Sequence, residues 1–264
     1  MERQRPDSLV VIPTYNEARN LTVLVYRLLQ HDGFDILVID DNSPDQTGTE
    51  ADRLADQFPG RITVLHRATK LGLGSAVVTG LRRGLRGEYA YVFHMDADLS
   101  HDPADLPAMR RVLERADVVV GSRRAAGAAM ARWPVHRRLL SQLGSLYAGS
   151  LLRLPLTDPT GGYRGYRRHV LEALDLDAVI SRGYAVQIEL NHRCHRAGFR
   201  LEEFPITFSE RARGRSKMTV GIVIEALLVV TTLWLDAGAT RVSPGLTPAA
   251  SAHPPDQGRQ RSND

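Results

Sequence analysis

One cysteine, Cys194, is all that the 264 residues provide, so no internal disulfide can form. That agrees with a reducing compartment and leaves the fold to its core. Long apolar runs are missing too. The longest, Val220 to Leu235, falls short of the ~20 residues a bilayer demands and carries Glu225 in its middle, which argues against a membrane span. The start, MERQRPDSLVVIPTYNEARN, sets charges and a proline around an apolar run too short for the h-region of a signal peptide, so secretion is not expected. No internal repeat is visible. The Gly72-Leu73-Gly74 turn lacks the third glycine of a dinucleotide fingerprint and does not follow the first strand, which argues against a dehydrogenase. His101, His192 and His195 have no spacing that supports zinc, and surface or hydrogen-bonded roles are expected of them. Trp133 and Trp234 read as packing residues.

What the chain does contain is 43% hydrophobic residues with moderate charge, enough to bury one substantial core in a single α/β domain. We place that domain at residues 1–241, with an apolar helix near 220–235. The closing stretch, 242–264, is rich in Pro, Ser and Gln and reads as a disordered tail. The net charge of +4 is modest but uneven. Arg123, Arg124, Arg132, Arg137 and Arg138 occur without an intervening acid, and Arg211, Arg213, Arg215 and Lys217 form a second cluster. Either alone suits a solvated face; anionic ligands explain both together. Trp133 is the one aromatic among them, and no nucleic-acid motif is visible, so nucleic acid is not the expected partner.

Along the first 120 residues, runs rich in β-branched residues alternate with helical periodicity, as in a βαβ series with a parallel sheet. The runs are Leu9 to Ile12, Ile36 to Ile39, Ile62 to Leu65, Tyr89 to Met95 and Val118 to Val120. Leu21, Leu24, Leu28 and Leu29 trace one helix face, with Asn16 as its expected N-cap and Gly33 as its stop. Further helices are expected at 47–57, 72–86, 104–114 and from about Val135 to Leu152.

Ligands of open α/β sheets bind outside the carboxyl ends of the strands, and polar residues gather there. The first strand is followed by Pro13-Thr14-Tyr15-Asn16-Glu17, the second by Asp40-Asp41-Asn42-Ser43 and the fourth by Asp96-Ala97-Asp98. Each alone is ordinary turn chemistry; three at one edge are not. Alternate residues leaving a strand can aim two carboxylates at one hard cation, whose other positions take diphosphate oxygens and water. Asp41 and Glu17 would then face a nucleoside, accepting from ribose or base, with the Tyr15 ring against the base. Asp158, in Thr157-Asp158-Pro159-Thr160, reads either as a turn residue or as a direct participant.

With these residues in place, the sequence resembles the family-2 inverting glycosyltransferases, and within them the polyprenol (dolichol) phosphate mannose synthases. The resemblance covers about residues 8 to 235, through IPTYNE, VIDDNSPDQTG, KLGLGSAVVTG, MDADLSHDP, GSR, DPTGGYRGYRR, GYAVQIEL and FSERARGRSKMT. It implies a glycosyltransferase-A fold, Rossmann-like with a mostly parallel sheet flanked by helices. It also implies GDP-mannose as donor, polyprenyl monophosphate as acceptor and Mg2+ or Mn2+ as metal. By motif, Pro13, Tyr15 and Glu17 would hold the nucleotide with Asp41, and Asp96, Ala97 and Asp98 would hold the metal and donor phosphates. Arg123 and Arg137 would grip the acceptor phosphate. Arg211 and Lys217 would belong to a loop closing over both substrates' phosphates, and Gln187 and Glu189 would line the sugar pocket. Ser100 departs from the pattern, because many relatives have a glutamine there that helps bind the metal; a serine hydroxyl or a water would substitute.

A phosphate monoester acceptor is largely dianionic near pH 7 and needs no strong general base, whereas a hydroxyl acceptor would. Gln187-Ile188-Glu189 lacks the Glu-Asp pair of hydroxyl-acceptor relatives. The expected enzyme lies peripherally at the cytoplasmic face of a membrane, held by its basic clusters and the 222–235 helix or by a membrane-protein partner. A UDP-glucose-dependent polyprenyl phosphate glucosyltransferase and a catalytically inert partner protein that keeps the fold stand as alternatives.

Overall fold

The computed structural model describes residues 6–130, 135–209 and 220–239. Four βα units and a fifth strand lead the chain: β1 (Ser8–Thr14), α1 (Ala18–Leu28), β2 (Phe34–Asp40), α2 (Thr47–Gln57), β3 (Ile62–His66), α3 (Leu73–Leu85), β4 (Tyr91–His94), α4 (Leu106–Val112) and β5 (Val118–Ser122). A short β6 (Ala129–Met130), α5 (Val135–Leu152), β7 (Arg164–Arg167), α6 (Arg168–Ala173), α7 (Val186–Arg196), β8 (Leu201–Pro205), β9 (Thr207–Phe208) and α8 (Val220–Ala239) follow. The seven-stranded sheet has the order β3-β2-β1-β4-β7-β5-β8, and β6 pairs with β9 apart from it.

The sheet is parallel except at β7, which runs antiparallel to both β4 and β5. Strands β1, β2 and β5 read as largely apolar runs because both of their faces are covered. Val10 and Ile12 of β1, with Phe34, Ile36 and Val38 of β2, pack under α1, α2 and α4. Leu9, Val11, Leu37 and Ile39 face the other way, against α3, α6 and α7. A third, smaller cluster joins α5, α7 and α8 through Ala148, Leu152, Ile188, Val230 and Leu233.

The expected strands and helices are present, with differences at their ends. Asn16 does not cap α1: it adopts φ 58°, and Glu17 stands in the capping position without a side-chain cap bond. The helix also closes before Gly33, whose φ of +87° turns the chain into β2. The expected 104–114 helix splits into a 3-10 turn at Pro103–Asp105, capped by the Asp102 carboxylate, and α4. The helix expected near 220–235 runs to Ala239, and no helix among the described residues is long and apolar enough to cross a membrane. Residues 242–264 lie outside the described residues.

Helix α3 approaches β1 so closely that a Cβ on Gly80 would stand 2.1 Å from Val11 Cγ1. Alanine ordinarily gains up to about 1 kcal/mol over glycine within a helix. Here overpacking against a rigid β-branched core residue outweighs that gain, so Gly80→Ala should lower the unfolding free energy by about 1–3 kcal/mol. A urea midpoint at or above that of the parent protein would contradict it.

Candidate active site

Three strand ends at the carboxyl edge turn through a left-handed residue: Asn16 after β1, Asn42 after β2 and Leu99 (φ 65°) after β4. Asparagine adopts this region readily; leucine does so at a cost of about 1–2 kcal/mol. The Leu99 turn folds Ser100 back onto Asp98, whose Oδ1 accepts from Ser100 N at 3.1 Å and from Ser100 Oγ at 2.5 Å.

Two groups of side chains result. Beyond β1 and β2, the buried Asp41 carboxylate accepts from Leu71 N and Gly72 N, both at 2.9 Å, and pairs with Arg67 Nη1 at 3.2 Å. Asp41 thereby fastens the 67–72 loop, which carries Lys70 with its ammonium 3.7 Å from the centroid of the Tyr15 ring. Glu17 is buried, accepting from Asn20 Nδ2 at 2.8 Å, while its backbone N–H donates to Thr47 Oγ1 at 2.9 Å. Pro13 is fixed within β1 and Ala97 is buried beneath the Asp96 turn.

Beyond β4 and β5 lies a cavity of about 250 Å³ lined at one end by Asp96, Asp98, Ser100, Arg123 and Gln187. Its other end is apolar, formed by Ile222, Val223, Ala226, Leu227 and Val230 of α8 with Gly144 and Tyr147 of α5. Both amide atoms of the buried Gln187 side chain have no hydrogen-bond partner, so this lining residue keeps its full donor and acceptor capacity. His101 also lines the cavity. Its ring stacks on Tyr163 at 5.0 Å and its Nδ1 accepts from Asp96 N at 3.2 Å. Burial, with Arg123 adding to it, pushes the His101 pKa down to about 4 against the opposing pull of Asp98 and Asp158, so the imidazole is neutral at pH 7.

Arg123 is held by Asp158, which is fully buried and accepts from Arg123 Nε at 2.6 Å, Arg123 Nη2 at 2.7 Å and Arg123 N at 3.1 Å. Arg124 Nη1 joins at 3.1 Å. Burial alone would raise the Asp158 pKa, but the hydrogen bonds and charges of the two arginines hold it well below the usual carboxylate range. Asp158 is therefore neither a simple turn residue nor, in its contacts within the protein, separate from the cavity: it aims Arg123.

A fully buried cation sits behind the same wall. The Arg164 guanidinium is fully buried and donates to Gly161 O at 2.9 Å, Pro159 O at 3.0 Å, Gln187 O at 2.6 Å and Asn191 Oδ1 at 2.6 Å. It ties the 159–162 loop to α7. Gly162 in that loop has no side chain to spare room for: a Cβ there would meet Asp96 Oδ2 at 3.1 Å.

The remaining expected residues are placed differently or fall outside. Glu189 does not line the cavity. Its buried carboxylate accepts from Ile180 N at 3.1 Å, Ser181 N at 2.9 Å and Arg193 Nε at 2.9 Å, so it holds the 180–181 turn on α7. On a helix, two positions beyond Gln187 points to another face, which decides the matter. Arg137 lies in the first turn of α5 and its side chain is outside the described part; Arg211 and Lys217 lie wholly outside the described residues. Arg67, Lys70, Arg164 and the Thr160-Gly161-Gly162 turn carry no expected role, although all but Arg67 sit in the KLGLG and DPTGGYRGYRR segments. The glycines of Gly72-Leu73-Gly74 have a packing cause: a Cβ on Gly74 would stand 2.3 Å from Ser181 O.

A family match over residues 9–175, to Glycosyl transferase family 2, covers most of this architecture. The chain belongs to that family. As a family-2 glycosyltransferase it is 48% identical over 224 residues to the undecaprenyl-phosphate mannosyltransferase of Micrococcus luteus, covering 84% of this chain and 92% of that one. It is 45% identical over 227 residues to the polyprenol monophosphomannose synthase of Mycolicibacterium smegmatis, covering 84% of this chain and 85% of that one. Among solved structures, the mannosyltransferase PcManGT from Pyrobaculum calidifontis in complex with GDP-Man and Mn2+ superposes with a TM-score of 0.58 at 19% identity, over 91% of this chain and 66% of that one. Glucosyl-3-phosphoglycerate synthase from Mycobacterium tuberculosis, in complex with Mn2+, UDP and glucosyl-3-phosphoglycerate, gives 0.63 at 20% identity, over 88% and 80%. These two share the glycosyltransferase-A fold, a mostly parallel sheet flanked by helices.

Asp158 offers a direct check on the buried ion pairs. Its folded-state pKa is depressed, so the stability it contributes is present above the unfolded value and is lost as pH falls through and below it. Asp158→Asn should cost about 3 kcal/mol or more at pH 7, because it leaves buried guanidinium charge uncompensated. The variant should also show a flatter decline in stability below about pH 4 than the parent protein. Parallel acid-unfolding profiles would contradict this account.

Proposed function

We propose that this glycosyltransferase moves mannose from GDP-mannose to a polyprenyl monophosphate, with inversion at the anomeric carbon, at the cytoplasmic face of a membrane. The observation that carries the reading is the cavity's mixed lining: paired carboxylates and an arginine on one side, apolar side chains of α5 and α8 on the other. A long hydrocarbon headed by a phosphate suits both at once. The names of the relatives at 48% and 45% identity support mannose and a polyprenyl phosphate, and they favour this reading over a UDP-glucose-dependent enzyme or an inert partner protein.

Asp96 and Asp98 supply two carboxylates on alternate positions beyond β4, a donor set that suits a hard cation such as Mg2+ or Mn2+. No group of three or more His, Cys, Asp or Glu that could hold a metal occurs among the described residues, so diphosphate oxygens and water would complete the shell. Ser100 stands beside them, its hydroxyl donated to Asp98. When bound, the cation would stabilise the charge on the departing nucleoside diphosphate. Asp41, Glu17, Pro13 and Tyr15 would hold the nucleoside, with Lys70 bringing positive charge to the same place. Gln187 would present its unpaired amide to the sugar. Arg123, aimed by Asp158, would bind the acceptor phosphate through two parallel hydrogen bonds, with Arg137, Arg211 and Lys217 as the further cations proposed for the phosphates.

Among the described lining residues the carboxylates are Asp96 and Asp98, and His101 is neutral with Nδ1 already accepting from Asp96 N. That scarcity of bases suits a nucleophile that needs none, as a phosphate dianion does. The chain's contribution is then positioning and electrostatics.

Purified protein given polyprenyl phosphate and a panel of GDP- and UDP-sugars should turn over GDP-mannose in preference to the rest, with a requirement for divalent metal. Preference for UDP-glucose would replace the reading. Asp98→Asn should remove nearly all transfer while the thermal unfolding transition stays in place; retention of more than about a tenth of kcat, a loss below ~1.4 kcal/mol, would end the metal role.

A further inference from the structure

Helices α5 and α8 run side by side in the same direction, with the Tyr147 and Thr231 hydroxyls meeting at 2.9 Å. Near Ser141 and Ile222 they border the catalytic cavity; at their far ends, with α7, they enclose a second groove of about 510 Å³. This groove has no part in the site already described. Its polar lining is Arg153, His192, His195 and Arg196, with Trp234 and Leu235 beside them and no acidic residue. His192 is more than nine-tenths buried, and its Nδ1 has no hydrogen-bond partner. A buried ring nitrogen without a partner is costly unless a ligand supplies one.

Exposed apolar stripes run along α5 and α8 from the cavity end toward the groove. On α5, Leu139, Leu143 and Leu146 recur at helical spacing and are exposed, Leu146 by 64%. On α8, Ile224, Leu227, Leu228 and Leu235 do the same, Leu228 by 63%. Trp234, expected to be a packing residue, is instead 48% exposed at the groove. Large apolar side chains standing in water beside basic ones, with an indole between them, are the pattern of a helix pair that lies in a lipid interface. The charge sign selects among lipids. Asp236 follows Leu235 along α8, yet the lining itself is cationic.

The geometry points to the α5–α7–α8 groove as a binding site for the phosphate headgroup of an anionic phospholipid, with the exposed α5 and α8 side chains set into the acyl region. The occupant is a bilayer lipid rather than the acceptor, and the site is separate from the Asp96–Asp98 cavity. Docked this way, the parallel helices lie along the membrane, so that the cavity's apolar end is held at the same surface.

The test is flotation of the full chain with vesicles of phosphatidylcholine alone or doped with phosphatidylglycerol. Binding should require phosphatidylglycerol and weaken with salt. Arg153→Gln with Arg196→Gln should reduce partitioning about tenfold or more, and Trp234→Ala should reduce it independently, each with the melting temperature of the parent protein. Equal binding to both vesicle types, or unchanged flotation of the folded double variant and of Trp234→Ala, would overturn the site.

Discussion

A guanidinium with no exposure to solvent is tolerable only if nearly every N–H finds an acceptor, and Arg164 imposes that condition on the whole catalytic edge. Its donors are met by the carbonyls of Pro159, Gly161 and Gln187 and by Asn191 Oδ1. Moving any of these elements would strand a buried charge. The reversal of β7 is what puts Arg164 there: it pairs antiparallel with β4, so Arg164 stands opposite His94 at the carboxyl end of that strand. A parallel strand would bring its own exit to the edge. The antiparallel one brings its entrance, and with it the Thr157 to Tyr163 segment that holds Arg123 and faces Asp96.

Positive charge is thereby concentrated behind the cavity, and neighbouring groups respond to it. His94, buried against Arg164 and His101, is pushed down to about 3 by burial first and by those neighbours second, so it adds no further cation. His101 is likewise neutral. Asp158 absorbs part of the charge of Arg123 and Arg124, which leaves the arginines ordered without removing their net excess over one carboxylate. A preorganised cationic wall of this kind lowers the cost of gathering phosphates at one place, because the protein dipoles and charges are already oriented.

The fold was readable because the sheet's burial on both faces writes itself as apolar runs, and because each βα unit is local. The positions of Asp41, Asp96 and Asp98 at strand ends follow from the same pattern. Glu189 shows where that reading fails. A motif shared with relatives says that a helix approaches the cavity, but which of Gln187 and Glu189 faces it depends on helical phase and on the 180–181 turn that claims the carboxylate. Asn16 fails for a similar reason: its type suits a cap, yet the turn beyond β1 uses it for left-handed backbone instead. Arg164 had no local signal at all, since a buried arginine and an exposed one look alike until the antiparallel strand is known.

Helix α8 carries the reasoning one step further. Its composition suits a membrane, but Glu225 in its middle accepts from Gly183 N at 2.8 Å, and a Cβ on Gly183 would stand 2.4 Å from Glu225 Oε2. A carboxylate that looks like an argument against lipid contact is thus a latch, drawing the helix onto the loop that also carries Tyr184 at the cavity wall. The same helix turns Ala226 and Val230 to the cavity while leaving Leu228 and Leu235 exposed. One polar tie therefore lets an apolar helix present two surfaces, lining the cavity on one side while its other side stays exposed.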